Sequence, residues 1–418
     1  MSIESAYDLA KKRYADLGVN TDKVLDRLSQ MSISLHCWQA DDVSGFEHPD
    51  ASLSGGGIQA TGNHFGKART MAQMRQDMEK VYSLIPGKHR YSLHAIYGDF
   101  GGKFIDRDAI GPEHFQSWLD WAKNMGIKLD FNATLFSHPK AASGFTLSDK
   151  SAEIREFWIN HVQRCREISA ALGKAQGGPC IHNLWIPDGS KDHPVSRFKH
   201  RKLLIESLDT IFKKDYASTA MKDAIEGKLF GIGSEAFVVG SNDFYLGYAV
   251  KNHKVLTLDM GHYHPTESIA DKISALLPFC PELLLHVSRG IRWDSDHVVI
   301  YNDELKDLFL EINRANAFDR VYLALDYFDA SINRIGAYVT GTRATLKAIL
   351  TAFLEPTQML QEIENNGDDF HRLALLEELK SMPIGAVWDY YCLKQGVPVG
   401  LDWIEQVRRY EKDILSKR

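Results

Sequence analysis

Val255-Leu256-Thr257-Leu258-Asp259, Leu283-Leu284-Leu285-His286 and Val321-Tyr322-Leu323-Ala324-Leu325-Asp326 are short apolar runs, each ending on a potential metal ligand. Runs of this kind read as buried strands. A carboxylate or imidazole at the end of a buried strand is costly unless a charge or a hydrogen bond meets it. Two of the runs lead into more ligand types, Gly261-His262-Tyr263-His264 and Trp293-Asp294-Ser295-Asp296-His297. The pattern points to a metal-centred site at one end of a sheet.

Outward from these runs, apolar segments alternate with helix-like ones. Strands are predicted at residues 33–38, 92–97, 129–135, 183–186, 224–229, 255–259, 283–287 and 321–326. Helices are expected between them, for example over 113–125, 151–172, 201–213 and 267–277. Eight strands alternating with helices predict an α/β fold, a closed (β/α)8 TIM barrel. Glu226, Asp259, His286 and Asp326 are separated by 33, 27 and 40 residues, each about one strand-loop-helix unit. They would therefore recur at one rim, the C-terminal end of the strands where barrel enzymes place their chemistry. An open doubly wound sheet is the alternative, but no G-x-G-x-x-G follows the first strand. The fifth strand is the least regular, because Gly227 and Lys228 interrupt its apolar pattern.

Three regions are expected: N-terminal helices over 1–30, a catalytic barrel over 31–341, and a helical extension over 342–418 that packs on the barrel or on a neighbouring subunit. The first helix would turn Tyr7, Leu9, Ala10, Tyr14 and Leu17 to one face, with Asn20 or Thr21 capping a second. In the extension, Leu346, Ile349, Leu350 and Phe353 mark one helix, stopped near Pro356. Leu373, Leu375, Leu376 and Leu379 mark a second, and Trp403, Ile404, Val407, Tyr410 and Ile414 a third.

The chain has 418 residues, 44% hydrophobic and 25% charged, which is enough for a sizeable core. A net charge of −6 disfavours a nucleic-acid partner. The run Arg197-Phe198-Lys199-His200-Arg201-Lys202 reads as a solvated face. Five cysteines without a C-x-x-C pair suggest neither a zinc ribbon nor a disulfide framework, and fit a reducing compartment. No apolar stretch is long enough for a signal peptide or a membrane span, so a cytoplasmic location is expected.

Glu226, Asp259, His286 and Asp326 offer three carboxylates and one imidazole, a mostly oxygen shell that suits manganese or magnesium. Any one of them alone reads as a helix cap or the partner of an arginine; four at successive strand ends favour a shared ion. His262, Asp294 and Asp296 form a second candidate set, since Asp-x-Asp presents two carboxylates on one loop. His264 and His297 are expected to be supporting or core residues. Lys228, two residues beyond Glu226, would share its face in an extended segment and bring an ammonium to a substrate oxygen. His36, Trp38, His94, Tyr97, Phe131, Phe136 and Trp185 lie at other strand ends, where aromatic side chains serve a sugar pocket or the core.

At these residues the chain resembles the L-rhamnose isomerase family. The resemblance is carried by His36-Cys37-Trp38-Gln39, Gly57-Ile58-Gln59-Ala60-Thr61-Gly62-Asn63, Asp259-Met260-Gly261-His262-Tyr263-His264-Pro265-Thr266-Glu267, Arg292-Trp293-Asp294-Ser295-Asp296-His297-Val298 and Asp326-Tyr327-Phe328-Asp329-Ala330-Ser331-Ile332-Asn333-Arg334. More distantly the layout is similar to xylose isomerase. The resemblance implies interconversion of L-rhamnose and L-rhamnulose, the first step of rhamnose catabolism, by a cytoplasmic homotetramer. It implies two divalent cations per subunit, Mn2+ foremost, with Mg2+, Co2+ or Zn2+ as alternatives at a structural site. Glu226, Asp259, His286 and Asp326 would hold that structural ion, and His262, Asp294 and Asp296 would help hold the catalytic one. Trp38, Phe131, Trp185, Lys228 and His262 are the expected sugar contacts, and Lys228, Asp326 and His94 the expected catalytic residues.

The expected chemistry is a two-metal-assisted 1,2-hydride shift on the open-chain sugar, with Lys228 stabilising charge on O1 and His94 assisting ring opening. Proton abstraction at C2 through an enediol is the competing route. Metal-dependent phosphoester hydrolysis is a rival activity that wants a basic groove, which the acidic chain does not favour. A sugar- or metal-binding module is the non-enzymatic rival. L-rhamnose, L-mannose, L-lyxose and D-allose differ by a methyl or a stereocentre, too little for sequence to rank.

Overall fold

The computed structural model describes residues 2–47, 60–229, 236–291 and 296–418. Eight parallel strands close into a barrel: β1 (Ile33–His36), β2 (Arg90–His94), β3 (Lys128–Asn132), β4 (Cys180–Trp185), β5 (Met221–Glu226), β6 (Val255–Asp259), β7 (Leu283–Val287) and β8 (Val321–Leu325). Each strand pairs with its neighbours in sequence, and β8 returns to β1 through Ile33↔Leu323 and Ser34↔Ala324. One principal helix follows each strand: Met71–Tyr82, Gln116–Met125, Ala152–Gln176, Arg197–Ile211, Asn242–Asn252, Ile269–Leu276, Asp303–Arg314 and Arg334–Phe353. The TIM barrel is therefore the fold. A short antiparallel pair, Gly189–Ser190 with Phe237–Val238, sits outside it.

Several predicted boundaries shift. Strands 1 and 2 stop at His36 and His94, because Cys37–Gln39 and Ala95–Tyr97 turn into 3-10 helix while staying buried. Strand 3 ends at Asn132, strand 4 begins three residues early at Cys180, and strand 5 is Met221–Glu226 instead of 224–229. Its polar start is accommodated by the helix layer: Arg166 of helix Ala152–Gln176 donates to both oxygens of Asp223, each at 2.9 Å. That helix packs so closely that a methyl on Gly173 would collide with the carbonyl of Ala220.

In the first helix, Ile3–Ala15, Tyr7, Ala10 and Tyr14 are buried, but Leu9 faces outward. The helix Arg334–Phe353 runs across the boundary expected after residue 341. Beyond it lie four helices: Thr357–Asn365, Asp369–Leu379, Ile384–Lys394 and Asp402–Asp413. Ile384–Lys394 packs on the first helix, with Tyr390 stacked 3.9 Å from Tyr7. The last segment is pinned to helix Met71–Tyr82, where Arg418 and Tyr410 both donate to the buried Asp77 at 2.6–2.8 Å. No helix among the described residues is long and apolar enough to cross a membrane.

Candidate metal centre

The strand ends carry their ligands to one point. Alternation turns Glu226, Asp259 and His286 into the barrel at the tops of β5, β6 and β7, and Asp326 follows β8 directly. One ligand atom from each of the four lies within 4.8 Å of the others. Ligands on opposite sides of a hard divalent cation stand about 4–5 Å apart, so the spacing fits one ion. His286 Nδ1 is 3.0 Å from Asp326 Oδ2, 3.4 Å from Glu226 Oε2 and 3.5 Å from Asp259 Oδ2.

Asp259, His262 and Asp296 make a second group of the same compactness, so Asp259 belongs to both. His262 Nε2 lies 3.9 Å from Asp259 and 3.8 Å from Asp296, while its Nδ1 lies 3.0 Å from Glu226 Oε1. Asp294 lies outside the described residues. Buried Asp259 Oδ2, His286 Nδ1 and Asp296 Oδ1 have no aligned hydrogen-bond partner. Buried polar atoms are nearly always satisfied, and atoms left over at a point where carboxylates and imidazoles converge fit divalent cations. Gly261 lets the loop after β6 pass; a methyl there would collide with Asp296 Oδ1.

The electrostatics agree. Burial raises the Asp259 and Asp296 carboxyls above their ordinary value. Burial would also raise Glu226, but His286 and His262 hold it well below. Burial would lower His262, yet Asp259 and Glu226 lift it to about 10. The crowded carboxylates thus draw positive charge onto the imidazoles, a charge that a bound cation would supply in their place.

Neighbouring side chains fix the ligands. Trp38 Nε1 donates to Asp326 Oδ1 at 2.9 Å. Asn183 Nδ2 donates to Glu226 Oε2 at 2.7 Å and is itself held by Thr257 Oγ1 at 2.8 Å. Ser288 Oγ and the Gly261 N–H donate to Asp259 Oδ1. Such outer hydrogen bonds orient metal ligands and raise their affinity.

A pocket opens on the two groups, walled by Trp38, Phe136, Trp185 and Phe328 and by Val43, His94 and Lys228. The Lys228 ammonium sits 4.4 Å from the centre of the Trp185 ring. His94 Nδ1 is 3.0 Å from Thr134 Oγ1, and its ring stands edge-on to Trp38. Burial lowers His94 to about 3 against the pull of Asp326 and Glu226, so its imidazole is neutral. Phe131 does not reach the pocket. Strand alternation points it to the helix layer, 4.8 Å from Phe115, and turns Asn132 inward. Tyr97 lies in the core bonded to Asp41, His36 abuts the Tyr327 carbonyl, and His264 binds Thr266. Sequence reasoning passed over Asn183, although it lies two residues before Trp185 and so on the same strand face. It also passed over Val43, which no strand or helix pattern marks.

A closed parallel barrel with acidic and imidazole ligands at its C-terminal rim defines a (β/α)8 enzyme with a candidate divalent-metal centre. Comparison with known proteins narrows the class. The family model described as L-rhamnose isomerase (RhaA) matches residues 1–418, and the chain belongs to that family. It is 55% identical to the L-rhamnose isomerase of Rhodopirellula baltica, over 100% of this chain and 97% of the relative. It is 57% identical to that of Bacteroides thetaiotaomicron, over 100% and 99%. A solved L-ribulose 3-epimerase is similar at a TM-score of 0.46 and 10% identity, covering 80% of this chain and 98% of the other.

Proposed function

We propose that the enzyme interconverts L-rhamnose and L-rhamnulose, moving hydrogen directly between C2 and C1 of the open-chain sugar. The reading is carried by the two ligand groups that share Asp259 at the floor of an aromatic-walled pocket. Two divalent cations bound there, manganese first on the oxygen-rich donor set, would supply Lewis acidity toward the sugar oxygens. Glu226, Asp259, His286 and Asp326 would hold one of them, and His262 and Asp296, with Asp294, would help hold the other. Lys228 brings a positive charge to the oxygen on C1 as it gains electron density. His94, neutral and seated against Trp38, relays a proton from the anomeric hydroxyl to the ring oxygen as the ring opens. Trp38 and Trp185 cover the apolar faces of the sugar and exclude water. Among the described residues, every carboxylate lining the pocket belongs to a ligand group. None stands free as a base at C2, which favours the hydride shift over the enediol.

Metal-depleted enzyme should form no ketose from L-rhamnose, and manganese should restore it above magnesium, cobalt or zinc. Turnover in tritiated water should leave carbon-bound hydrogen unlabelled; substantial label at C1 of the ketose would sink the hydride shift. We further infer a cytoplasmic homotetramer in which the extension contacts neighbouring subunits. Helix Asp369–Leu379 buries none of its residues and exposes Phe370 and Leu373, which supports that role. Light scattering should return four times the 47.2 kDa chain mass.

A further inference from the structure

Below the metal centre the barrel is hollow. A cavity of about 250 Å³ lies along the axis and opens past Gln30, Met31, Pro179 and Phe318, at the N-terminal mouth opposite the sugar pocket. Parallel barrels ordinarily fill this space with layers of branched side chains. Here Ala324 thins the apolar wall that it forms with Ile181 and Leu284. The facing wall is small and polar, with Ser34, Ser92, Asn132 and Asn183. At its mouth Arg90 grips Asp130 through two bonds of 2.7 Å, and Ser34 donates to the same carboxylate at 2.7 Å.

The ceiling of the cavity is also the floor of the sugar pocket, because Asn132, Asn183 and His286 line both. His286 is 4% exposed and turns Nδ1 to the three carboxylates. No hydrogen bond from its other nitrogen, Nε2, reaches a protein group among the described residues. A metal-bound histidine almost always donates its second ring N–H to a carboxylate, a carbonyl or a water, which fixes the tautomer and raises its basicity. A polar cavity of this size with several donors and acceptors holds ordered water, whereas an apolar one stays dry.

We propose that the barrel axis is a water chamber, filled from the N-terminal mouth, whose uppermost water accepts the Nε2 proton of His286 and so orients that ligand for the cation. The polar wall keeps the water in place, and Ala324 leaves the room for it. His286 is thereby supported by solvent, while Glu226 and Asp326 are supported by Asn183 and Trp38. The inference rests on the metal-centre reading given above.

Two measurements test it. A high-resolution crystal structure of the manganese-loaded enzyme should show ordered waters in the chamber, one within hydrogen-bonding distance of His286 Nε2. A dry chamber, or a protein group on Nε2, overturns the proposal. Filling the chamber should weaken metal binding without touching the sugar pocket. Ala324 pairs in register with His286, so Ala324→Ile places bulk beside it. Manganese affinity, read by chelator competition, should fall about 10- to 100-fold, as for loss of other outer partners of metal ligands. Ser34→Val, at a residue that lines the chamber and not the sugar pocket, gives the same reading should Ala324→Ile not fold. Unchanged affinity in a folded variant whose crystal structure shows the chamber filled overturns the proposal. A wild-type enzyme that binds no manganese defeats the metal-centre reading instead.

Discussion

Arg334→Met tests how the pocket wall is held. Arg334 is 4% exposed and grips Asp42 through Nε and Nη2, both at 2.7 Å, while Nη1 donates to the carbonyl of His64 at 2.8 Å. Asp42 and the next residue, Val43, have φ of +56° and +61°, a left-handed conformation that side chains resist. Each such residue costs about 1–2 kcal/mol, and a branched side chain sits at the upper end. The clamp therefore holds roughly 2–4 kcal/mol of backbone strain in the turn that carries Val43 to the sugar pocket. Breaking a fully buried ion pair costs about 3–5 kcal/mol; Asp42 keeps some contact with water, so about 2–3 kcal/mol is expected here. With the clamp gone the turn relaxes and Val43 leaves the wall. Denaturation midpoints at fixed protein concentration should fall accordingly, and KM for L-rhamnose should rise about tenfold, a loss near 1.4 kcal/mol of binding, with kcat falling less. Arg334→Lys keeps the charge without the two-pronged grip and should fall between. A Met variant within about 0.5 kcal/mol of the parent, the range of an inert surface change, and with unaltered KM, would refute the reasoning.

Asn183→Leu removes the bond to Glu226 and should weaken manganese binding about 10- to 100-fold by titration calorimetry, with secondary structure unchanged. Gly261→Ala should drive Asp296 from its place and abolish metal-dependent activity in a protein that still folds; retention of full activity would show that the loop has slack. Burial holds the Asp41 carboxyl up at about 7 against the bonds from Tyr97 and Gly45. The folded chain thus keeps a proton that the unfolded chain releases near 3.8. Stability from this group is full below that value and is lost as pH rises through 7, up to about 4 kcal/mol. Asp41→Asn should flatten the stability profile between pH 4 and 7, and an unaltered slope in urea melts would count against the assignment.

Strands β6 to β8 were legible because they are almost wholly apolar and bring a charged residue to their C-terminal end. Leu283–Val287 and Val255–Asp259 could be bounded to the residue on that ground. Ala95-Ile96-Tyr97 was not, since a buried 3-10 turn is as apolar as a strand and composition cannot separate them. Met221-Lys222-Asp223 failed for the opposite reason: its polar side chains are neutralised by Arg166 and Glu282, partners remote in sequence. In the site, the ligand positions were visible as strand-end charges, but the side of the strand was not. Phe131 was expected at the sugar, and a parity of one residue sends it to Phe115. Val43 was invisible because its place depends on strain held by an arginine nearly three hundred residues away.

The bond from Trp38 to Asp326 spans the seam where β1 meets β8, a junction of only two register pairs. Those residues lie 288 positions apart, so nothing local draws them together. A cation seated on Asp326 would add to the bonds that close the seam, beside those of Gln39 with Asp329 and Arg334 with Asp42. Starving the enzyme of its metal should lower the protection of the amides in residues 33–36, which makes that protection a gauge of loading.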